Sequence, residues 1–152
     1  MRDLYIVGAG GFGREVYAWL QDLPERDVDW CIRGFLDDNP SALDGFNYQS
    51  QVVAPASDFQ PKPNDLLVCA IGARDYKRRI CEQLKARGAQ FFTLVHPTVV
   101  LGPNVTLGEG VVLCPRVSVT CDVEIGAMAM LNLHCTVGHD VRIGAWSTIS
   151  AQ

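Results

Sequence analysis

The chain has 152 residues, 48% of them hydrophobic and 20% charged, with a formal net charge of −4. This is the composition of a globular protein. It offers no basic surface for nucleic acid or an anionic membrane, and no apolar run approaches the roughly 18–20 residues that cross a bilayer.

Residues 1–7 lead straight into a strand-like run without the apolar stretch of a signal peptide. Residues 4–7 read as a short strand ending at Gly8, and residues 14–23 as a helix stopped by Pro24. A second strand is expected over residues 28–36, broken by the turn residues Asp37-Asp38-Asn39-Pro40. Residues 41–63 are irregular, with a short strand at 51–53. A third strand covers 66–71, a basic amphipathic helix 75–86, closed by Gly88, and a final strand 90–95. Strands alternating with helices imply a parallel sheet with helices on its faces.

After His96-Pro97 the pattern changes. Every sixth residue from Val95 is a branched aliphatic: Val95, Leu101, Leu107, Leu113, Val119, Ile125, Leu131, Val137, Ile143 and Ile149. The next residue is often glycine, as at Gly102, Gly108, Gly126, Gly138 and Gly144, and the residue two before is small or aliphatic. A period of six matches neither a helix at 3.6 nor a hairpin. It fits a parallel β-helix in which each hexad forms one side of a triangular coil and stacks its aliphatic inward, away from water. Only six of the 56 residues from Pro97 onward are charged, so outer faces covered by other subunits are expected. Residues 1–95 and 96–152 are therefore read as two domains.

Gly8-Ala9-Gly10-Gly11-Phe12-Gly13 lies between a strand and a helix, as a phosphate-cradling turn does. It is either a nucleotide or nucleotide-sugar site or a tight turn without a ligand. A full dinucleotide fold needs two halves, and fewer than 100 residues precede the repeats, which disfavours a nicotinamide-dependent oxidoreductase. Asp37 and Asp38 end the second strand on the edge where open parallel sheets bind ligands; they either accept from a base or ribose or cap a solvated turn. Gly72 occupies the same edge, and Arg74, Lys77, Arg78 and Arg79 either meet phosphate or form a wet helix face. His139, two past an inward Val137, projects outward at a corner. Its imidazole is suited to take a proton from an amine or hydroxyl attacking a thioester, with Asp140 as its acidic partner if the carboxylate folds back. His134 either lines the same cleft or packs at a subunit contact, and His96 reads as an interdomain junction residue. Scattered cysteines without metal-ligand spacing give no disulfide framework and no metal centre, and a cytoplasmic location.

These segments together, Val7-Gly8-Ala9-Gly10-Gly11-Phe12-Gly13-Arg14-Glu15-Val16, Gly34-Phe35-Leu36-Asp37-Asp38, Ala70-Ile71-Gly72, His96-Pro97 and Val137-Gly138-His139-Asp140 with Ile143-Gly144, resemble the sugar O- and N-acetyltransferases. That group includes sialic acid O-acetyltransferases and UDP-4-amino-sugar N-acetyltransferases of bacterial glycan pathways. The resemblance implies a small Rossmann-like parallel α/β domain followed by a short left-handed β-helix of hexapeptide repeats. It also implies an acetyl-CoA-dependent acetyltransferase that is a homotrimer with active sites between neighbouring β-helices. Carried over, His139 matches the general base and Asp140 its partner. Asn132 matches an acceptor-positioning residue, while Gly10, Gly11, Phe12, Asp37, Asp38 and Gly72 lie in the segments that hold the sugar nucleotide. Leu133-His134-Cys135 departs from the small residues common in relatives, so a reshaped acceptor pocket is expected. Relatives of this type continue for several coils past the position of Gln152, and a C-terminally truncated form is expected, its activity open. The competing readings are a non-catalytic nucleotide-sugar-binding protein that trimerises through the solenoid, a nicotinamide-dependent enzyme, and a purely structural solenoid.

Overall fold

The computed structural model describes residues 1–150; Ala151 and Gln152, the end of the expected β-helix, lie outside the described residues. The chain forms two compact units: Met1–Ala18 with Glu25–Phe91, and Trp19–Pro24 with Phe92 onward.

The first unit follows the order β1 (Arg2–Val7), α1 (Gly11–Gln21), a 3₁₀ turn (Glu25–Asp27), β2 (Trp30–Leu36), β3 (Val52–Ala54), β4 (Asp65–Cys69) and α2 (Arg74–Ala86). The strands form one parallel sheet in the order β3-β2-β1-β4. Near-continuous apolar runs suit strands buried on both faces, and Leu4, Ile6, Val7, Phe35, Leu36, Leu67 and Val68 are each 0% exposed. The order reverses beside β1: β2 and β3 lie on one side of it, β4 on the other. Loops leaving β1 and β4 at such a switch point diverge and open a crevice at the carboxyl ends of the strands.

Three expected elements shift. The helix starts at Gly11 rather than residue 14, because the Arg14 N–H already donates to the Gly10 carbonyl at 3.0 Å. The second strand starts at Trp30, since the Val28 N–H turns back to the Glu25 carbonyl at 3.2 Å. The final strand over 90–95 divides. Phe91 makes an isolated bridge to Leu67 in the first unit, whereas Leu94 and Val95 pair with Val112 and Leu113 in the second. Thr93 fixes the start of that second ladder: its hydroxyl donates to the Gly108 carbonyl and accepts from the Gly110 N–H, both at 3.1 Å.

The α2 helix is not a wholly wet face. Lys77 is 3% exposed, with Ile80, Cys81 and Leu84 on the same buried side. Cys81 meets Cys69 of β4 with the two sulfurs 3.5 Å apart, both as free thiols. Burial pushes the Lys77 ammonium below the usual lysine range, only partly opposed by the Cys69 and Cys81 sulfurs. The unfolded chain then holds that proton more tightly than the folded one, so stability rises as pH climbs from the depressed value toward that of a free lysine. Lys77→Met is expected to raise the chemical-denaturation stability at neutral pH by about 1 kcal/mol, with the gain fading in alkaline buffer. A variant that is less stable at neutral pH would contradict this reading.

The second unit continues with β5 (Leu94–Val95), β6 (Val100–Leu101), β7 (Val105–Leu107), β8 (Val112–Leu113), β9 (Ser118–Val119), β10 (Val123–Ile125), β11 (Met130–Leu131), β12 (Thr136–Val137), β13 (Arg142–Ile143) and β14 (Thr148–Ile149). They build three parallel sheets, β14-β11-β8-β5, β12-β9-β6 and β13-β10-β7. Leu94 pairs with Val112, Val112 with Met130 and Met130 with Thr148, so one coil takes eighteen residues, three hexads. The unit is a left-handed parallel β-helix. Its rungs Leu113, Val119, Ile125 and Leu131 are at most 2% exposed and Val137 is 8% exposed. The expectation that every rung is sealed fails at the edges: Leu101 is 40% and Ile149 39% exposed. Each lies on the outermost strand of its sheet, covered from one side only.

The corners follow a second six-residue rhythm. Asn104, Gly110, Arg116, Asp122, Met128, His134, Asp140 and Trp146 all have φ between 55° and 73°. Each stands three residues after a rung. The left-handed conformation turns the chain from one face to the next; Asn, Asp and Gly adopt it readily, the other side chains at a cost. The glycines that follow the rungs serve another purpose. A Cβ on Gly102 would overlap the Thr120 carbonyl oxygen, and one on Gly126 would lie 2.5 Å from the Ala145 nitrogen. Gly102, Gly108 and Gly126 permit close stacking of successive coils, whereas a Cβ on Gly138 would meet no described atom within 4 Å.

Candidate functional site

Two clusters stand out, one in each unit. In the first, the loops after β1, β2 and β4 gather at the carboxyl edge of the sheet. Gly8, with φ of 103°, leaves β1 so close to the next loop that a Cβ would sit 2.7 Å from the Ala70 carbonyl oxygen. A Cβ on Gly13 would overlap the Gly8 carbonyl, so this glycine lets α1 start tight against the loop. Gly10, Gly11 and Gly72 differ. All three are exposed, none has a positive φ, and Gly10 and Gly72 would place a Cβ in open space. Neither packing nor backbone conformation requires glycine at Gly10 or Gly72, whereas a ligand approaching the backbone would.

Asp37 is a structural tie at this edge. Its Oδ2 accepts from the Ala9 N–H and its Oδ1 from the Asn39 N–H, both at 2.8 Å, so the end of β2 holds the glycine loop in place. Asp38 accepts from the Ser57 N–H through Oδ1 at 2.9 Å. Tyr76, in the first turn of α2, faces the same pair: burial first, then the charges of Asp38 and Asp37, push its phenol above the usual tyrosine range. Phe12 is half-buried at the start of α1. Of the basic residues, Arg78 pairs with Glu82 at 2.9 Å, Arg79 lies over the Tyr76 ring and Lys77 is buried; Arg74 is exposed at the start of α2. Sequence reasoning passed over Tyr76 and Arg14. Arg14 lies 3.8 Å from the centroid of the Phe46 ring. An arginine in the first turn of a helix that opens from a glycine loop was the available signal.

In the second unit, His139 and Asp140 occupy the corner between β12 and β13, and both side chains are exposed. Adjacent residues on a strand point to opposite faces, but Asp140 has φ of 61°, and this corner conformation brings its carboxylate back to the imidazole. His139 Nδ1 lies 2.7 Å from Asp140 Oδ2. A carboxylate only accepts, so Nδ1 carries the proton and donates, leaving the Nε2 lone pair free in solvent. The Asp140 N–H donates to the Cys121 carbonyl at 3.4 Å, which ties the corner to the coil below. A groove of about 430 Å³ runs beside it, lined by Asn104, Thr106, Asp122, Glu124, Asp140 and Arg142.

Asn132 and His134 stand on the preceding corner, between β11 and β12. The Asn132 amide oxygen accepts from the Leu133 N–H at 2.8 Å, and among the described residues no hydrogen bond joins Asn132 to His139. His134 is exposed and carries one of the left-handed corners, at the opposite end of the β12 face from His139. His96 is 7% exposed and fully engaged. Its Nδ1 accepts from the Thr98 N–H at 3.2 Å and its Nε2–H donates to Asp22 Oδ2 at 2.9 Å, which leaves it no free nitrogen for chemistry. No cluster of metal-ligating side chains occurs among the described residues.

Residues 3–84 match the family model described as the PglD N-terminal domain. The chain is 27% identical to a GDP-perosamine N-acetyltransferase of Escherichia coli O157:H7, over 97% of this chain and 67% of that one. It is 26% identical to a UDP-N-acetylbacillosamine N-acetyltransferase of Bacillus subtilis (strain 168), over 74% of this chain and 51% of that one, so it spans about half the length of this second relative. Among solved structures, the acetyltransferase domain of PglB from Neisseria gonorrhoeae FA1090 superposes with a TM-score of 0.82 at 25% identity, covering 97% of this chain and 70% of that one. The same domain in complex with acetyl coenzyme A superposes with a TM-score of 0.81 at 25% identity, covering 97% and 69%.

Proposed function

The chain belongs to the PglD N-terminal domain family, and from that premise we propose that it transfers the acetyl group of acetyl-CoA to the amine of a nucleotide-activated amino sugar, with His139 as general base. The observation that carries this reading is the exposed His139–Asp140 pair at 2.7 Å, with Nδ1 committed to the carboxylate and Nε2 open. Support for the acceptor comes from the two N-acetyltransferase relatives, and for the donor from the acetyl coenzyme A complex of the PglB domain.

In the proposed reaction the neutral amine attacks the thioester carbonyl while His139 Nε2 takes the proton released from nitrogen. The carbonyl oxygen gathers negative charge, which a backbone N–H near a coil corner stabilises. The C–S bond then breaks, and the imidazolium returns the proton to the departing thiolate. Asp140 holds the ring in the correct tautomer and offsets its transient positive charge. Asn132 is assigned to positioning the acceptor, and Phe12 with the open backbone at Gly10, Gly11 and Gly72 to the sugar nucleotide. Asp37 holds that loop in place, and Asp38, with Oδ2 free of any intramolecular bond among the described residues, is the side chain left to accept from base or ribose.

The active assembly is proposed as a homotrimer in the cytoplasm, where acetyl-CoA is supplied. The charge-poor coil faces support it, as does Val100, 62% exposed on β6. A sedimentation mass of one chain at assay concentrations would count against it. The function itself is tested in the natural reading frame that carries this chain, by supplying acetyl-CoA with a UDP-linked 4-amino sugar, GDP-perosamine or free sialic acid and following thiol release. Release is expected with one or both nucleotide-linked amines. Release with sialic acid alone would move the acceptor to a hydroxyl and overturn the amine assignment.

A further inference from the structure

Arg14 has no assigned role, and its surroundings are unusual for a cation. It sits in the first turn of α1, where the aligned peptide dipoles disfavour positive charge. The chain carries 17 acidic residues against 13 basic ones, yet among the described residues Arg14 makes no ion pair. Its Nε is buried with no hydrogen-bond partner among the described residues. Its guanidinium carbon lies over the Phe46 ring, 3.8 Å from the centroid, and a Cβ on Gly11 would lie 3.6 Å from one of its terminal nitrogens.

These features amount to an arginine held in one orientation at a lasting electrostatic cost. Contact with the face of an aromatic ring holds the guanidinium in place without neutralising it, so its terminal donors stay available to an anion. One of its terminal nitrogens lies against Gly11, and next to it Gly10 would place a Cβ in space that no described residue fills within 4 Å. Phe46 is 47% exposed and comes from the irregular segment between β2 and β3, so the contact clamps a surface loop onto the helix start. The anion suited to such a fork beside exposed peptide N–H groups is one with several oxygens in a row, and planar guanidinium donors match phosphate oxygens in pairs.

We propose that Arg14, oriented by Phe46 beside Gly11, binds the diphosphate of the nucleotide-activated sugar. Arg14 is thus a binding residue and Phe46 a positioning residue, because Phe46 acts through the arginine. The inference rests on the nucleotide-sugar reading of this crevice but is separable from it. It assigns affinity for the diphosphate, common to UDP- and GDP-linked sugars, to one side chain, and leaves choice of base to other residues.

The test is calorimetric binding of UDP, GDP, uridine and guanosine to the whole protein and to its Arg14→Gln, Arg14→Lys and Phe46→Leu variants, each checked for unchanged thermal unfolding. Arg14→Gln is expected to weaken the bound nucleoside diphosphate by roughly 10- to 100-fold, as loss of a charge-assisted pair of hydrogen bonds does, and to leave nucleoside binding unchanged. Arg14→Lys should recover part of the loss. Phe46→Leu should weaken diphosphate binding by less than Arg14→Gln and leave the nucleosides unaffected, a pattern that a merely structural role would not give. If wild-type protein binds UDP or GDP and Arg14→Gln binds it equally well, or loses nucleoside and diphosphate alike, the inference fails while the nucleotide reading stands. If wild-type protein binds neither diphosphate, both fail.

Discussion

Replacing His139 with alanine is expected to lower kcat for acetyl transfer by about 100- to 10,000-fold, the usual contribution of a positioned general base. The side chain is exposed and, among the described residues, hydrogen-bonds only to Asp140, so the fold should not register the change. KM for both substrates should stay near the wild-type value, because Nε2 is needed for the proton released during attack rather than for holding either reactant. Asp140→Asn should lose less, since it keeps the shape but no longer accepts from Nδ1–H as a charge. If His139→Ala turns over at the wild-type rate, with its fold intact, the base lies elsewhere.

The second large effect concerns the coil. Leu131 is 0% exposed on β11, between Leu113 of β8 and Ile149 of β14 in the same ladder. Leu131→Ala leaves a void that neighbouring rungs cannot fill, because each is already in register with its own partners. The expected loss is about 2–5 kcal/mol of unfolding free energy in chemical denaturation. Ile149→Ala, at an edge rung already 39% exposed, should cost far less. Equal losses at the two positions would mean that the hexad aliphatics do not form a graded stack, and the placement of the His139 corner would lose its basis.

Much of this was legible in the sequence, for a physical reason. A hexad forces one inward position per side of the coil, so aliphatics at Leu113, Val119, Ile125 and Leu131 announce both the fold and the outward position of His139. The corners were harder to see. The eye goes to glycines after the rungs, but the left-handed residues are three past them, where Arg116, Met128, His134 and Trp146 have no compositional mark. That offset is why the His139–Asp140 contact looked awkward from strand alternation and is direct in the structure. In the α/β unit the order of strands and helices was legible from apolar runs, helical amphipathicity and the turn residues between them. The fates of Asp37, Tyr76 and Arg14 depend on which loops meet at the sheet edge, and no local pattern carries that. Residues 90–95 read as one strand because both of its halves are apolar; only the competition between the Leu67 bridge and the Val112–Leu113 ladder divides them.

The most direct measurement is a single-turnover reaction, with protein in excess over a nucleotide-linked amino sugar and acetyl-CoA saturating, followed by mass spectrometry for wild type and His139→Ala side by side. The wild-type protein should convert the amine to the N-acetyl product in one turnover, and the variant should bind both reactants yet leave the amine unmodified on the same timescale. N-acetylation by the variant at the wild-type rate, or none by the wild type with both reactants bound, would contradict the account.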